Sequence, residues 1–465
     1  MKPSQPWYFK VINAFGRTFG TRYVDLKSEH LIRAVVGDLR LTEHFTKEQI
    51  DEFTNNVKFY VDSVMETGNM SLCGKIFFQF EVKSIIRERM RVELYHKYYP
   101  QTASIEITDP IVIVGLPRTG STILSRLMAC DKRKLRPLLF WETNRPAPVL
   151  SRDGKTVLRT GEKEAAEELK YLTYTIPNFN IIHQLDNCEP EECMFILRQC
   201  FTSVSNLMSH HLPQYAEYMF NDEQGKQEVS KAYSHHKKAL QILMAEDKKL
   251  YLKQKSDERA TQAKDKKNKK GKKSKGKEVA NDEQNEGEEQ HEYKPKTWLL
   301  KSPFHMFAPD SIVREYPQAK FVCLHRDPVE VFPSFSSLVN TGRPVYSKDY
   351  NSVMTGKDVT EVLIRGLNTF EEFRDTQNFR STGEKYLDVQ YRDILKDPIA
   401  VIEKIYQFAG LTPIDGETKN NMLTYLAQNP KDKFGVHKYT LKEFGIDESD
   451  LKSNLDWYYK KYVNI

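Results

Sequence analysis

No stretch of this chain approaches the ~20 consecutive apolar residues that cross a bilayer, and the first residues, MKPSQPWYFKVINAFGRTF, lack the long apolar core of a secretory leader. A soluble, cytoplasmic protein without a transmembrane segment is expected. Cysteine is also scarce: six in 465 residues, none in a C-x-x-C pair, which points to free thiols in a reducing compartment. Cys188, Cys193 and Cys200 with His183 match no structural zinc spacing, and no metal is expected. Net charge is low as well, +6 overall. Residues 253–277 contribute +9 and residues 278–292 contribute −7, so the remainder carries only +4. No basic stripe with interleaved aromatics is left to argue for nucleic acid.

What is present starts at residues 111–130, IVIVGLPRTGSTILSRLMAC. Four β-branched residues run into a turn bracketed by Gly115 and Gly120, and an amphipathic run follows: strand, anion-binding loop, helix. Ser121 and Thr122 fall at the helix start, where unpaired N–H groups and the helix dipole favour negative charge. A nucleotide-triphosphatase loop would place a lysine between Gly120 and Ser121. None is there; the cation is Arg118, inside the loop. A P-loop nucleotide kinase is therefore the alternative reading, since no strand-end aspartate stands out for Mg²⁺.

Residues 319–340, AKFVCLHRDPVEVFPSFSSLVN, repeat the strand-turn-helix pattern. Phe321 to Leu324 read as a buried strand, Asp327 as a helix N-cap and Pro328 as the first helical residue, so that Arg326 sits at the strand end. Just upstream, TWLLKSPFH ends a short apolar run on Lys301. In an open parallel sheet the carboxyl ends of strands face the ligand crevice, so Lys301 should point toward Arg118 and Arg326.

PRTGST resembles the 5′-phosphosulfate loop of sulfotransferases that use 3′-phosphoadenosine 5′-phosphosulfate (PAPS), with Arg118 resembling the loop arginine of the tyrosylprotein branch and of a broad bacterial-type family. The resemblance implies a P-loop-like α/β fold of three layers with a central parallel sheet, and transfer of a sulfonate to a hydroxyl of a small, hydrophobic acceptor. It implies that Arg118, Thr119, Gly120, Ser121 and Thr122 hold the 5′-phosphosulfate. Arg326 and Ser334, eight residues apart, would hold the 3′-phosphate, and Tyr391, in VQYRDILKDP, would lie near the adenine. Lys301 resembles the strand-end lysine that contacts the transferring sulfonate. For the general base the candidates are Glu142, a glutamate after the loop as in the tyrosylprotein branch, and His305, a histidine after the strand-end lysine as in cytosolic members. The tail KDKFGVHKYTLKEFGI resembles the family's C-terminal segment, with Lys433 as its available cation. Membrane-anchored Golgi members resemble the chain only in motif. A non-catalytic nucleotide-binding scaffold is the rival outside enzymes, and the oligomeric state is left open.

The expected organisation is an N-terminal helical section (1–105), a first sulfotransferase part with the loop (106–252), a disordered charged insertion (253–293) and a second part with the 3′-phosphate site (294–465). Ile50, Phe53, Val57, Val61 and Val64, then Ile76, Phe77, Phe80, Ile85, Ile86, Met90 and Leu94, mark helical faces in the first section. Residues 162–251 read as helical and rich in Tyr, Phe and Met, and the insertion has too few apolar residues to fold. Tyr386 to Val389 reads as a strand, and Asp397 and Pro398 open a helix that stops at Gly410.

Overall fold

A computed structural model describes residues 7–19, 24–175, 186–273, 293–348, 350–376, 385–430 and 439–464. Five strands form one parallel sheet: β1 (Ile111–Gly115), β2 (Leu135–Pro137), then, past a short antiparallel pair β3 (Val149–Leu150) and β4 (Val157–Arg159), β5 (Thr297–Lys301), β6 (Lys320–His325) and β7 (Tyr386–Gln390). The order across the sheet is β2-β5-β1-β6-β7. β1 is therefore central, and its neighbours come from distant chain: Ile113 pairs with Lys301 on one side and Val322 on the other.

Because side chains alternate across a strand, a central strand needs both faces covered. Val112 and Val114 point into a core shared with Val57, Tyr60, Phe78 and Ile86 of the N-terminal helices. Ile111 and Ile113 point the other way, onto Leu124 and Leu127 of the post-loop helix and Ile399, Ile402 and Ile405. This is the three-layer α/β architecture expected, with helices on both faces.

Local signals explain the boundaries. The helix Lys47–Thr67 opens on a capping box in which Thr46 accepts from the Gln49 N–H and Gln49 reaches back to the Thr46 N–H. Asp397 accepts from the Ala400 N–H, Pro398 follows, and the helix Pro398–Ala409 ends on Gly410 at φ 72°, as read from the sequence. In the helix Leu72–Tyr98 the buried line is Phe78, Val82, Ile86 and Met90, while Phe80, expected to be buried, is exposed. Apolar residues are so dense there that spacing alone does not fix which face turns inward.

The insertion differs from expectation in part. A single helix, Glu223–Lys273, runs straight through its first half, so residues 253–273 are helical; residues 274–292 lie outside the described residues. Its part before the insertion is anchored by buried Ala239, Leu240, Ile242 and Leu243. Lys, Glu, Gln and Ala then extend a helix already nucleated, helped by pairs such as Lys255–Glu258. Low apolar content forbids independent folding, not extension. His183 and Lys433 also lie outside the described residues.

Residues 252–261 are mostly exposed, so replacing residues 256–292 with a short Gly/Ser linker should move the melting temperature by less than about 2 °C. A differential scanning calorimetry shift several times that size would show that the extension packs.

Candidate active site

The loop after β1 reverses direction through backbone conformations that few residues adopt. Arg118 sits at φ 64° and Gly120 at φ 85°, both in the left-handed region, which is costly for a residue with a side chain. Thr119 ties the loop to itself through Oγ1 to the Leu116 carbonyl at 2.7 Å. The helix Ser121–Met128 starts directly after Gly120, with no acidic residue in its first turn. Ser121 and Thr122 are at that N-terminus, as the sequence indicated.

Arg118, Arg326, Ser334, Gly120 and Tyr391 come from three separate stretches of chain and meet here. Arg118 Nε donates to Ser334 Oγ at 3.2 Å. Arg326 Nη1 donates to the Arg118 carbonyl at 2.7 Å, while its Nε and Nη2 donate to Glu330 Oε2 at 2.8 and 2.6 Å. The Arg326 guanidinium stands 4.2 Å from the centre of the Tyr391 ring, a cation–π contact. A Cβ on Gly120 would come within 3.1 Å of that same ring. Arg118 is exposed as a residue, yet desolvation of its guanidinium, and then the positive field of Arg326, hold its pKa below the usual value, though a guanidinium remains charged. Among the described residues no carboxylate lies within ion-pair distance of Arg118. Two neighbouring cations, a helix N-terminus and loop N–H groups make a site for a multiply charged anion.

The segment that carries Arg326 is fixed from behind by a set of contacts absent from the sequence reading. Asp327 caps the helix Pro328–Gly342 at the Val329 N–H and also accepts from Tyr459 Oη at 2.7 Å. His325 bonds Asp388 through Nε2 at 2.7 Å and Tyr458 through Nδ1 at 3.2 Å. Its ring stacks on Tyr462 with centroids 3.9 Å apart, and Arg374 forks onto both oxygens of Asp388 at 2.9 Å. The tyrosines of WYYKKY were the available signal; their aromatic density at the chain's end reads equally well as ordinary core.

Lys301 ends β5, buried, as its register with Ile113 requires. Its Nζ donates to Glu192 Oε1 at 2.9 Å, and Glu191 Oε1 lies 4.0 Å away. The acidic pair is delivered by a segment stitched to its surroundings: Phe140 and Trp141 N–H donate to the Glu189 and Asn187 carbonyls, Glu191 N–H to Leu138, and Cys193 N–H to Lys301. Sequence reasoning missed both glutamates, although EPEE was in plain view.

The two expected bases have other engagements. Glu142 is buried, and Arg136 forks onto both its oxygens at 2.7 and 2.6 Å; Oε2 also accepts from the Leu139 N–H at 2.9 Å, capping the helix Phe140–Asn144. Instead of a carboxylate isolated by aromatic rings, it is the centre of a bidentate ion pair, with Arg136 further held by Asp247. His305 is sealed: Nδ1 bonds Tyr233 Oη at 2.9 Å and Nε2 has no partner. Burial, helped by His236 and Lys301, pushes its pKa well below the usual imidazole value and keeps it neutral.

A family model described as the sulfotransferase family matches residues 110–415. The omega-hydroxy-beta-dihydromenaquinone-9 sulfotransferase Stf3 of Mycobacterium tuberculosis is 26% identical over 168 residues, 35% of this chain and 41% of that protein, so the chain spans well under half of that relative. Among solved structures, sulfotransferase STF9 from Mycobacterium avium has a TM-score of 0.72 at 19% identity, covering 94% of this chain and 97% of that one. Sulfotransferase STF1 from M. tuberculosis H37Rv gives 0.67 at 22%, covering 92% and 97%. At these identities the two structures speak to the fold alone.

Two predictions follow from this geometry. Gly120→Ala places a methyl against Tyr391 in a left-handed turn, costing about 1–2 kcal/mol, and should lower the melting temperature by about 1–4 °C in differential scanning calorimetry; an unchanged melting temperature would contradict it. The second concerns pH. Burial pushes His236 and His210 down to about 3, and pushes His235 and His305 well below the usual value. The unfolded imidazoles titrate near about 6.5, so protonation favours unfolding. This contribution to stability is complete above that pH and is lost as pH falls toward 3, at up to about 1.4 kcal/mol per pH unit for each histidine. Glu88, raised to about 6 by burial, opposes the trend, but as one group against four. Urea denaturation at pH 7.5, 6.5 and 5.5 should give falling stability; a flat profile would contradict it.

Proposed function

Because this chain belongs to the sulfotransferase family, we propose that it transfers the sulfonate of PAPS to the hydroxyl of a small, hydrophobic acceptor. The observation that carries this reading is the convergence of Arg118, Ser334, Arg326 and Tyr391 on one loop. A site for an ordinary monophosphate needs one cation; two adjacent guanidinium groups fit a donor with phosphate on both sides of its ribose.

In this reading Arg118 and the Thr119 to Thr122 backbone and hydroxyls hold the 5′-phosphosulfate. Arg326 and Ser334 hold the 3′-phosphate, with Glu330 giving up its share of Arg326. Tyr391 braces the guanidinium and borders the nucleotide. Lys301 stabilises charge that develops on the leaving phosphate oxygen as the sulfonate passes in line to the acceptor. The contribution is positioning and charge stabilisation. The Stf3 relative is named as an omega-hydroxy-beta-dihydromenaquinone-9 sulfotransferase, which supports a greasy alcohol as the acceptor class. The six free thiols suit a reducing compartment such as the cytoplasm.

Incubation with ³⁵S-labelled PAPS and a lipid extract should yield labelled, alkali-stable products, and their absence across alcohol and phenol panels would remove the reading. Arg326→Ala should lose two charge-assisted hydrogen bonds, roughly 2–3 kcal/mol or about 30- to 150-fold in PAPS affinity, and leave adenosine 5′-phosphosulfate binding nearly unchanged. Equal losses for both ligands would reassign Arg326 away from the 3′-phosphate.

A further inference from the structure

The pairing of Lys301 with two consecutive glutamates has no role in the donor site. A buried ammonium needs a counter-charge; here Glu192 is bonded to it, while Glu191 Oε1, 4.0 Å from the ammonium, accepts from the Glu192 N–H. The Lys301 side chain is 3% exposed and that of Glu192 12%. Glu192 Oε1 is taken by Lys301, whereas Oε2 has no hydrogen-bond partner among the described residues. Glu142 has both oxygens committed to Arg136, and His305 is closed off against Tyr233. Of these three groups, Glu192 alone is both bonded to Lys301 and partly open.

Resting on the sulfonate-transfer reading, we propose that Glu192 is the general base, coupled to Lys301. In the step itself the acceptor oxygen forms a bond to sulfur while its proton passes to a Glu192 carboxylate oxygen. The bond from sulfur to the 5′-phosphate oxygen breaks, its electron pair stays on that oxygen, and Lys301 donates to it. As the leaving oxygen gains charge, the Lys301 hydrogen bond turns from Glu192 toward it. Glu192 loses its stabilising cation, and its affinity for a proton rises as the acceptor proton must leave. One ammonium thus links leaving-group stabilisation to proton removal.

The test uses acceptors that differ in their need for a base. With PAPS at pH 8, benzyl alcohol must lose a proton during transfer, whereas p-nitrophenol is already largely ionised. Glu192→Gln keeps an oxygen for Lys301 and should cut turnover of benzyl alcohol by about 10²–10⁴-fold. Turnover of p-nitrophenol should fall less than about tenfold, with adenosine 3′,5′-bisphosphate affinity changed by less than about threefold. If Glu192→Gln does not fold, Glu192→Asp, which keeps the charge but shortens its reach, must show the same direction of difference between the two acceptors. Equal penalties on both acceptors would overturn the base assignment and leave Glu192 as a holder of Lys301. A wild-type enzyme that binds the bisphosphate yet labels no alcohol or phenol would overturn the transfer reading itself, and the base with it.

Discussion

Two guanidinium groups, Arg118 and Arg326, are held next to each other, Arg326 half-buried and Arg118 exposed. Like charges in such a setting repel, and the protein must supply the force that keeps them together. It does so with backbone: the Arg118 carbonyl accepts from Arg326, and it is available because the loop turns left-handed at Arg118 and again at Gly120. The C-terminal tyrosines, His325, Asp388 and Arg374 fix the other side. Strained backbone and a buried polar network are the means by which this fold holds two like charges side by side.

The parts of the fold that rest on local rules were legible in the sequence. Apolar runs became β1 and β6, Asp327 and Asp397 became caps, and Gly410 a stop, because each is decided by a few residues and their neighbours. That Arg118, Arg326 and Ser334 lie side by side follows from a further rule. Parallel sheets bring strand ends to one edge, so residues at those ends meet whatever the intervening chain does.

What could not be read depends on which of several similar partners a side chain chooses. Glu142 has an arginine six residues before it, yet nothing in LRPLLFWE says that the chain folds back to fork the two together. EPEE looks like a solvated acidic turn until hydrogen bonds from Cys193 and Glu191 draw it over the end of β5. The lysine-rich stretch after Tyr251 was misjudged because composition reports whether a segment can fold alone, whereas helix propagation depends on what precedes it.

The strand order has a consequence for the making of the protein. β1 leaves the ribosome first among the sheet strands, yet both its neighbours, β5 and β6, begin at Thr297 and Lys320. While residues 116–296 are being made, IVIV is thus an unpaired, wholly apolar edge, and the loop beyond it has no second arginine to hold. Such long-range pairing is slow and leaves sticky surface exposed while it waits. The N-terminal helices are complete before β1 appears and contribute to the core that covers one of its faces. They can therefore shelter a nascent strand in the interval, a service to biogenesis that the finished enzyme no longer displays.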